Sequence, residues 1–384
     1  MSKFSLNNLD KSTWESFKFQ EITERISLSV DPTTTELEVY VGLEHIDAED
    51  IHIRRFGKPS DVTGNKLKCF RGDVIFGKRR AYQRKAAIAD FDGICSAHSF
   101  VFRAKADVIE PELFPFFLHS DQFMHRAVDI SVGGLSPTIN WGDLKDQEFL
   151  LPPKEEQKKL AELLWSMDDV IEKEKRLLES AAETKKSLFQ EMKKLRMKSF
   201  DILENLVVKI SSGGTPSREK EDLYFGGHIP WVKTKELNDG LIYETSEHIT
   251  TEGLKNSSAK LYPEKTILLA MYGVTVGKIG ILSKEMSCNQ ACCAIIVNEN
   301  KVDVWFLFYY LISMRDRLIS LSVGSAQPNI NAGIIRKLKI PLDSIENQKT
   351  FVKKLIGIDE FSRQIMERIS VSQTLQKSLI NQIF

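Results

Sequence analysis

Residues 136–144, SPTINWGDL, return as QPNINAGII at 327–335. Asn140 and Asn331 lie 331 − 140 = 191 residues apart, and the same offset pairs Val132 with Val323, Gly133 with Gly324, Pro137 with Pro328, Ile139 with Ile330 and Gly142 with Gly333. The agreement runs back to Phe117 with Phe308 and forward through Glu155 with Glu346, Gln157 with Gln348, Leu164 with Leu355 and Asp168 with Asp359. It ends in KKSLFQEM (185–192) against QKSLINQI (376–383). Near the starts of the halves, ITERIS (22–27) resembles LVVKIS (206–211) at an offset of 206 − 22 = 184, which implies a small insertion in the second half. Self-similarity at a fixed period constrains the whole fold, because each copy then builds the same structural unit. The 384 residues are two degenerate copies of one unit of roughly 190 residues.

Each copy has two parts with different periodicities. In residues 154–197, Leu160, Leu164, Met167, Ile171, Leu178, Ala181, Leu188, Met192 and Leu195 recur at alternating three- and four-residue spacing, a heptad seam interrupted at Glu174 and Lys185. The second copy keeps the register through Phe351, Leu355, Ile358, Ile365, Ile369, Leu379 and Ile383, with Ser362, Ser372 and Gln376 as weak points. A helix of about 40 residues spans on the order of 60 Å. An apolar stripe that long needs a partner, and the other copy is the obvious one; packing of each helix on its own globular part is the alternative.

The remainder of each copy reads as mixed α/β. ELEVYVGLEHI (36–46), KCFRGDVIFG (68–77) and SFVFRA (99–104) have strand character, as do KTILLAMYG (265–273), KIGILS (278–283) and CCAIIVN (292–298). PELFPFFLHSDQFMHRAV and DVWFLFYYLISMRDRLIS follow as amphipathic helical stretches whose aromatics suit a core better than a base-stacking platform. The expected fold is α+β: similar mixed domains over 1–150 and 199–341, separated by long helices over 151–198 and 342–384 whose apolar seams suit each other as partners.

Apolar content of 42%, charged content of 28% and zero formal net charge indicate a soluble globular protein. No apolar core of a signal peptide and no uncharged run approaching a membrane span is present, so no membrane role is expected. The five cysteines are odd in number and form no C-x-x-C pair, which favours buried thiols in a reducing cytoplasm over a zinc site. Catalytic strings are missing too. GVTVGKI (273–279) lacks the glycine spacing and the Ser or Thr of a phosphate loop, and LLPPK (150–154) is not the Asn/Asp-Pro-Pro-aromatic string of amino methyltransferases. No metal-ligand spacing links the seven histidines, so no catalytic residue, cofactor or metal is assigned to the chain.

Charge clustering points to a polyanion. Residues 51–90 hold eleven Lys or Arg (Arg54, Arg55, Lys58, Lys66, Lys68, Arg71, Lys78, Arg79, Arg80, Arg84, Lys85) against three Asp (Asp61, Asp73, Asp90). The centre of this run, GKRRAYQRK, adds Tyr82 to five cations; such a loop contacts phosphates, and Arg79 or Arg80 has the two-pronged donor face that suits a guanine edge. A solvated charged loop is the bland alternative. The equivalent segment AMYGVTVGK is not basic, and residues 233–278 hold six Lys against six Asp or Glu. There Arg218, Lys233, Lys235, Tyr272, Lys278, Asn289 and Gln290 are the DNA-contact candidates, with glycines admitting close approach. The asymmetry suggests that the two domains read different things.

EVYVGLEHI, GDVIFGKRRAYQRKAAIADFDGICSAHSFVFR, SGGTPSR, FGGHIPWVKTKELND, YPEKTILLAMYGVTVGKIGIL, NQACCAI and LPPKEEQKKLAELL together resemble the specificity subunit of type I restriction–modification systems. The resemblance covers nearly the whole chain. It implies two target-recognition domains, each reading half of a bipartite site in double-stranded DNA, held apart by the two long helices in an antiparallel coiled coil, which would relate the copies by a pseudo-twofold axis. It also implies two docked methylation subunits that carry S-adenosylmethionine, and restriction subunits that carry ATP and magnesium. The second copy departs from the LPP…EQ entry, having IPLDSIENQ with Asn347 where the first has Glu156. A fused methyltransferase–nuclease and a coiled-coil scaffold without DNA are the rival readings. A pseudo-dimer would match dyadic geometry on the duplex as true dimers match palindromes. The repeated turn is expected to join reading head to rod, with Pro137, Asn140, Pro328 and Asn331 setting the angle.

Overall fold

The structure, a computed structural model, describes residues 11–194, 199–321 and 329–384; Leu195, Val323, Gly324 and Pro328 fall outside them. The chain forms two compact units, Met1–Arg176 with Ile365–Phe384, and Leu177–Gln364. Each holds one head and a stretch of both long helices, which run Lys154–Lys194 and Ile345–Ile383.

In the first unit the main sheet is antiparallel, ordered Thr23–Ile26, Ser99–Ala104, Val74–Gly77, Ala86–Ile88. A smaller sheet runs Ser29–Val30, Lys66–Cys69, Gly93–Cys95, Tyr40–Val41, its last pair parallel. Glu15–Lys18 and Glu148–Leu151 form a third, two-stranded ladder. The second unit repeats this plan. Its main sheet is ordered Val207–Ser212, Cys292–Val297, Ile267–Ala270, Ile279–Leu282, Leu241–Ile242, and Ser199–Ile202 pairs with Lys339–Leu342. Even the register matches: Val74 opposite Phe102 and Gly77 opposite Ser99 become Ile267 opposite Ile295 and Ala270 opposite Cys292, each shifted by 267 − 74 = 193. The α+β architecture of two similar heads, two long helices and one internal repeat is therefore present.

Local departures from the periodicity have physical causes. Of ELEVYVGLEHI only Tyr40–Val41 pairs, because the chain then turns, with Gly42 N–H donating to His45 Nδ1 at 3.1 Å. KCFRGDVIFG is two strands, broken at Gly72 (φ 90°), where the buried Asp73 carboxylate accepts Phe70 N–H at 2.9 Å and Arg103 Nε at 2.8 Å. Both amphipathic stretches are split, into Phe114–His119 and Asp121–Asp129 where Ser120 caps the second helix, and into Val304–Ser313 and Arg315–Ser320. Their aromatics Phe114, Phe116, Phe117, Phe306, Phe308, Tyr309 and Tyr310 are buried core.

Inside the first unit the two helical stretches run antiparallel: Gln376 Nε2 donates to Leu164 O at 3.3 Å, and Arg368 meets Glu174 at 2.7 Å. Leu160 and Leu164 share a core with Leu379, Ile380 and Ile383. Within the second unit Lys185 pairs with Asp359, while Met192 shares a core with Phe351 and Leu355. The seam interruptions at Glu174 and Lys185 are thus ion-paired positions. No helix among the described residues is long and apolar enough to cross a membrane.

His119 gives the first unit an acid sensitivity. Burial, with Arg84 nearby, pushes its imidazole down to about 4, while its Nε2 lies 2.7 Å from Ala86 O. The unfolded chain takes up this proton near 6.5, whereas the folded chain stays neutral until about 4. Stability therefore falls as pH drops through that window, by about 3 kcal/mol at about 1.36 kcal/mol per unit. Urea unfolding of the chain at pH 7 and pH 4 should show a loss that includes this contribution, and His119→Gln, which keeps an N–H for Ala86 O, should make that loss smaller by about 3 kcal/mol.

Candidate nucleic-acid interface

In each head one hairpin of the main sheet ends in a loop, and the repeated turn is hydrogen-bonded to the base of that loop. In the first head, Ile139 N–H donates to Lys78 O at 2.9 Å, Arg80 N–H to Pro137 O at 2.7 Å, and Arg80 Nε to Ser136 Oγ at 3.0 Å. In the second, Ile330 N–H donates to Met271 O at 2.9 Å, and Asn329 bridges to Tyr272. Ile139 and Ile330 are both buried and anchor the turn. Asn331 caps the short helix Ala332–Arg336 by accepting Ile334 N–H at 2.9 Å; Asn140 precedes Trp141–Leu144, its amide 3.4 Å from Asp143.

Other residues bind head to long helix. Gln157, buried, accepts Glu110 N–H at 2.6 Å and donates to Val108 O and Pro152 O. Its counterpart Gln348 accepts Asp303 N–H at 2.8 Å and donates to Asp343 O at 2.9 Å. Asp168 meets His52 at 2.7 Å, and Asp359 accepts from Tyr309 Oη at 2.8 Å. Hydrogen bonding to Asp168 raises the His52 pKa, so this bond contributes most below pH 6.5 and is lost as pH rises through the raised value. The equivalent Gln and Asp pairs were visible as repeats, but their role was not, because most of their partners lie on loops and one helix, 45 or more residues away in sequence.

The first loop is cationic and held in shape. Ala81–Gln83 forms a 3₁₀ turn flanked by Arg80 (φ 56°) and Arg84 (φ 53°), left-handed positions that are costly for side chains with a Cβ. Arg84 is fixed by Glu49 at 3.0 Å, Asp121 at 2.7 Å and His119 O at 2.9 Å. Its charge is therefore neutralised within the head. Lys85 donates to Leu43 O, and Lys78 lies 5.2 Å over the Phe100 ring, its pKa lowered by burial and by Arg25. Arg79, Arg80 and Tyr82 are exposed, and the two arginines line an open depression of about 360 Å³ with Gln83, Lys85 and His98. Lys58, Lys66 and Lys68 belong instead to the smaller sheet and its loops; Lys66 donates to Gly64 O at 2.8 Å.

The second loop is built differently on the same frame. Gly273–Thr275 forms its 3₁₀ turn, presenting Tyr272, Val274 and Lys278 to solvent. Arg218 packs 3.9 Å over the Phe225 ring and pairs with Glu221 at 2.7 Å and with Glu247; Lys233 pairs with Glu247 as well. Lys235 is exposed on the Thr234–Glu236 turn, Asn289 is half-buried, and Gln290 is exposed and accepts from Thr215. A Cβ on Gly213 or Gly214 would lie 2.2 Å from Cys288 O or the Ser258 carbonyl carbon, so these glycines admit the protein's own backbone. Gly273 (φ 75°) faces open space. Val274 and Ser136 were not legible as site residues, since only the fold exposes one and sets the other beside Arg80.

Two mixed heads with matched hairpin loops and long helices agree with the matching family model, described as the type I restriction modification DNA specificity domain, which covers residues 11–182 and 205–371. The chain belongs to this family. A putative type I restriction enzyme MjaX specificity subunit from Methanocaldococcus jannaschii is 27% identical over 381 residues, covering 88% of this chain and 84% of that one. The type I restriction enzyme HindI specificity subunit of Haemophilus influenzae is 21% identical over 437 residues, covering 91% and 94%. The fold is shared with a type I restriction–modification S subunit from M. genitalium, at a TM-score of 0.61 and 15% identity, over 98% of each chain.

Proposed function

We propose that the chain is the non-catalytic DNA-specificity subunit of a type I restriction–modification complex. The observation that carries this is the pair of equivalent loops, each on an identical strand register and each backed by the repeated turn, whose side chains differ in chemistry. Each head reads one half of an asymmetric bipartite site, and the long helices set the gap. In this reading Arg79 and Arg80 contact bases, Lys58, Lys66, Lys68, Lys78 and Lys85 supply phosphate attraction or local support, and Arg84 shapes the loop. Lys235, Tyr272, Lys278, Asn289 and Gln290 form the second reading face, with Arg218 and Lys233 holding it in place.

The partners are two methylation subunits, which bring S-adenosylmethionine, and restriction subunits, which bring ATP and magnesium. The long helices offer exposed apolar side chains for docking: Val170, Met366, Val371 and Leu375 in the first unit, and Leu177, Ile356 and Phe361 in the second. Selecting from a random duplex pool with the chain assembled on its methylation subunits tests the function. Enrichment of one split, asymmetric sequence with a fixed gap is expected; absence of both specific and nonspecific binding would instead favour a scaffold.

A further inference from the structure

We propose that Val274 reads the methyl group of a thymine in the half-site bound by the second head, an inference that rests on the specificity-subunit reading. The strand registers place Arg79, Arg80 and Ala81 of the first loop at the positions of Tyr272, Gly273 and Val274 in the second, since 272 − 79 = 193 is the offset that maps the flanking strands. Where one loop carries two exposed guanidinium groups, the other carries a phenol, a bare backbone and a fully exposed isopropyl group.

The exposure of Val274 belongs to an ordered turn. Val276 N–H donates to Gly273 O at 3.1 Å, Gly277 N–H to Ala270 O at 3.0 Å, and Val276 is buried beneath the tip. The neighbouring guanidinium is turned inward, Arg315 donating to Gly277 O at 3.0 Å and pairing with Asp239. An isopropyl group cannot accept or donate a hydrogen bond, and the apolar group on a major-groove edge is the C5-methyl of thymine.

The test uses the chain assembled with its methylation subunits and duplexes in which each thymine of the recognised site is replaced in turn by deoxyuridine, which lacks that methyl. One position should bind about four-fold more weakly, the value for losing one buried methyl-sized group. Val274→Ser should abolish that penalty, and Val274→Ile should retain it. Equal binding at every deoxyuridine position, a penalty unchanged in Val274→Ser, or a second half-site without thymine would each overturn the inference while leaving the specificity reading intact. Failure of the wild-type assembly to prefer any sequence would overturn both.

Discussion

Replacing Arg79 and Arg80 together by alanine should weaken binding of the assembled complex to its intact site by about ten- to a hundred-fold, the range for losing a guanine-reading contact. Discrimination should vanish at base pairs of one half-site and persist at the other. The fold should tolerate the change, because both side chains are exposed and Arg80 N–H still reaches Pro137 O. Arg84→Ala should behave differently: it removes a cation that ties Glu49, Asp121 and His119 O together and so loosens the head itself. Competition binding against duplexes substituted one base pair at a time separates these outcomes. Equal loss of discrimination in both half-sites would contradict separate readers.

Inserting one heptad into each long helix, at Arg176/Leu177 and at Gln364/Ile365 where the compact units meet along the chain, should change the preferred gap. A heptad keeps the apolar seam in register and adds roughly 10 Å, about three base-pair steps of about 3.4 Å. The native spacing should then be bound on the order of a thousand-fold more weakly, approaching the nonspecific level, while a site with about three more central base pairs regains affinity. Duplexes with graded spacers provide the measurement, and an unchanged optimum would show that the helices do not set the gap.

The repeat and the seams were legible because both are periodic, and periodicity survives divergence. The strands Ser99–Ala104 and Cys292–Val297 were equally plain, since burial on both faces gives them continuous apolar runs. Less was legible where a distant partner decides. Arg84 and Arg218 read as free cations, yet Glu49, Asp121, Glu221 and Glu247 engage them, which no local count of charge reveals. The repeated turn likewise looked like a link to the rod. Its backbone hydrogen bonds run to the hairpin loop, Asn331 caps the short helix that follows, and Gln157, Gln348, Asp168 and Asp359 join head to long helix. Pairing of short segments across a hairpin depends on a register that linear spacing does not contain.

Mapping methylated bases in DNA from cells carrying this chain with its partner subunits tests the central claim most directly. One asymmetric sequence split by a gap of fixed length, with unlike halves, is the predicted result. A continuous or palindromic target, or methylation that does not depend on the chain, would contradict it.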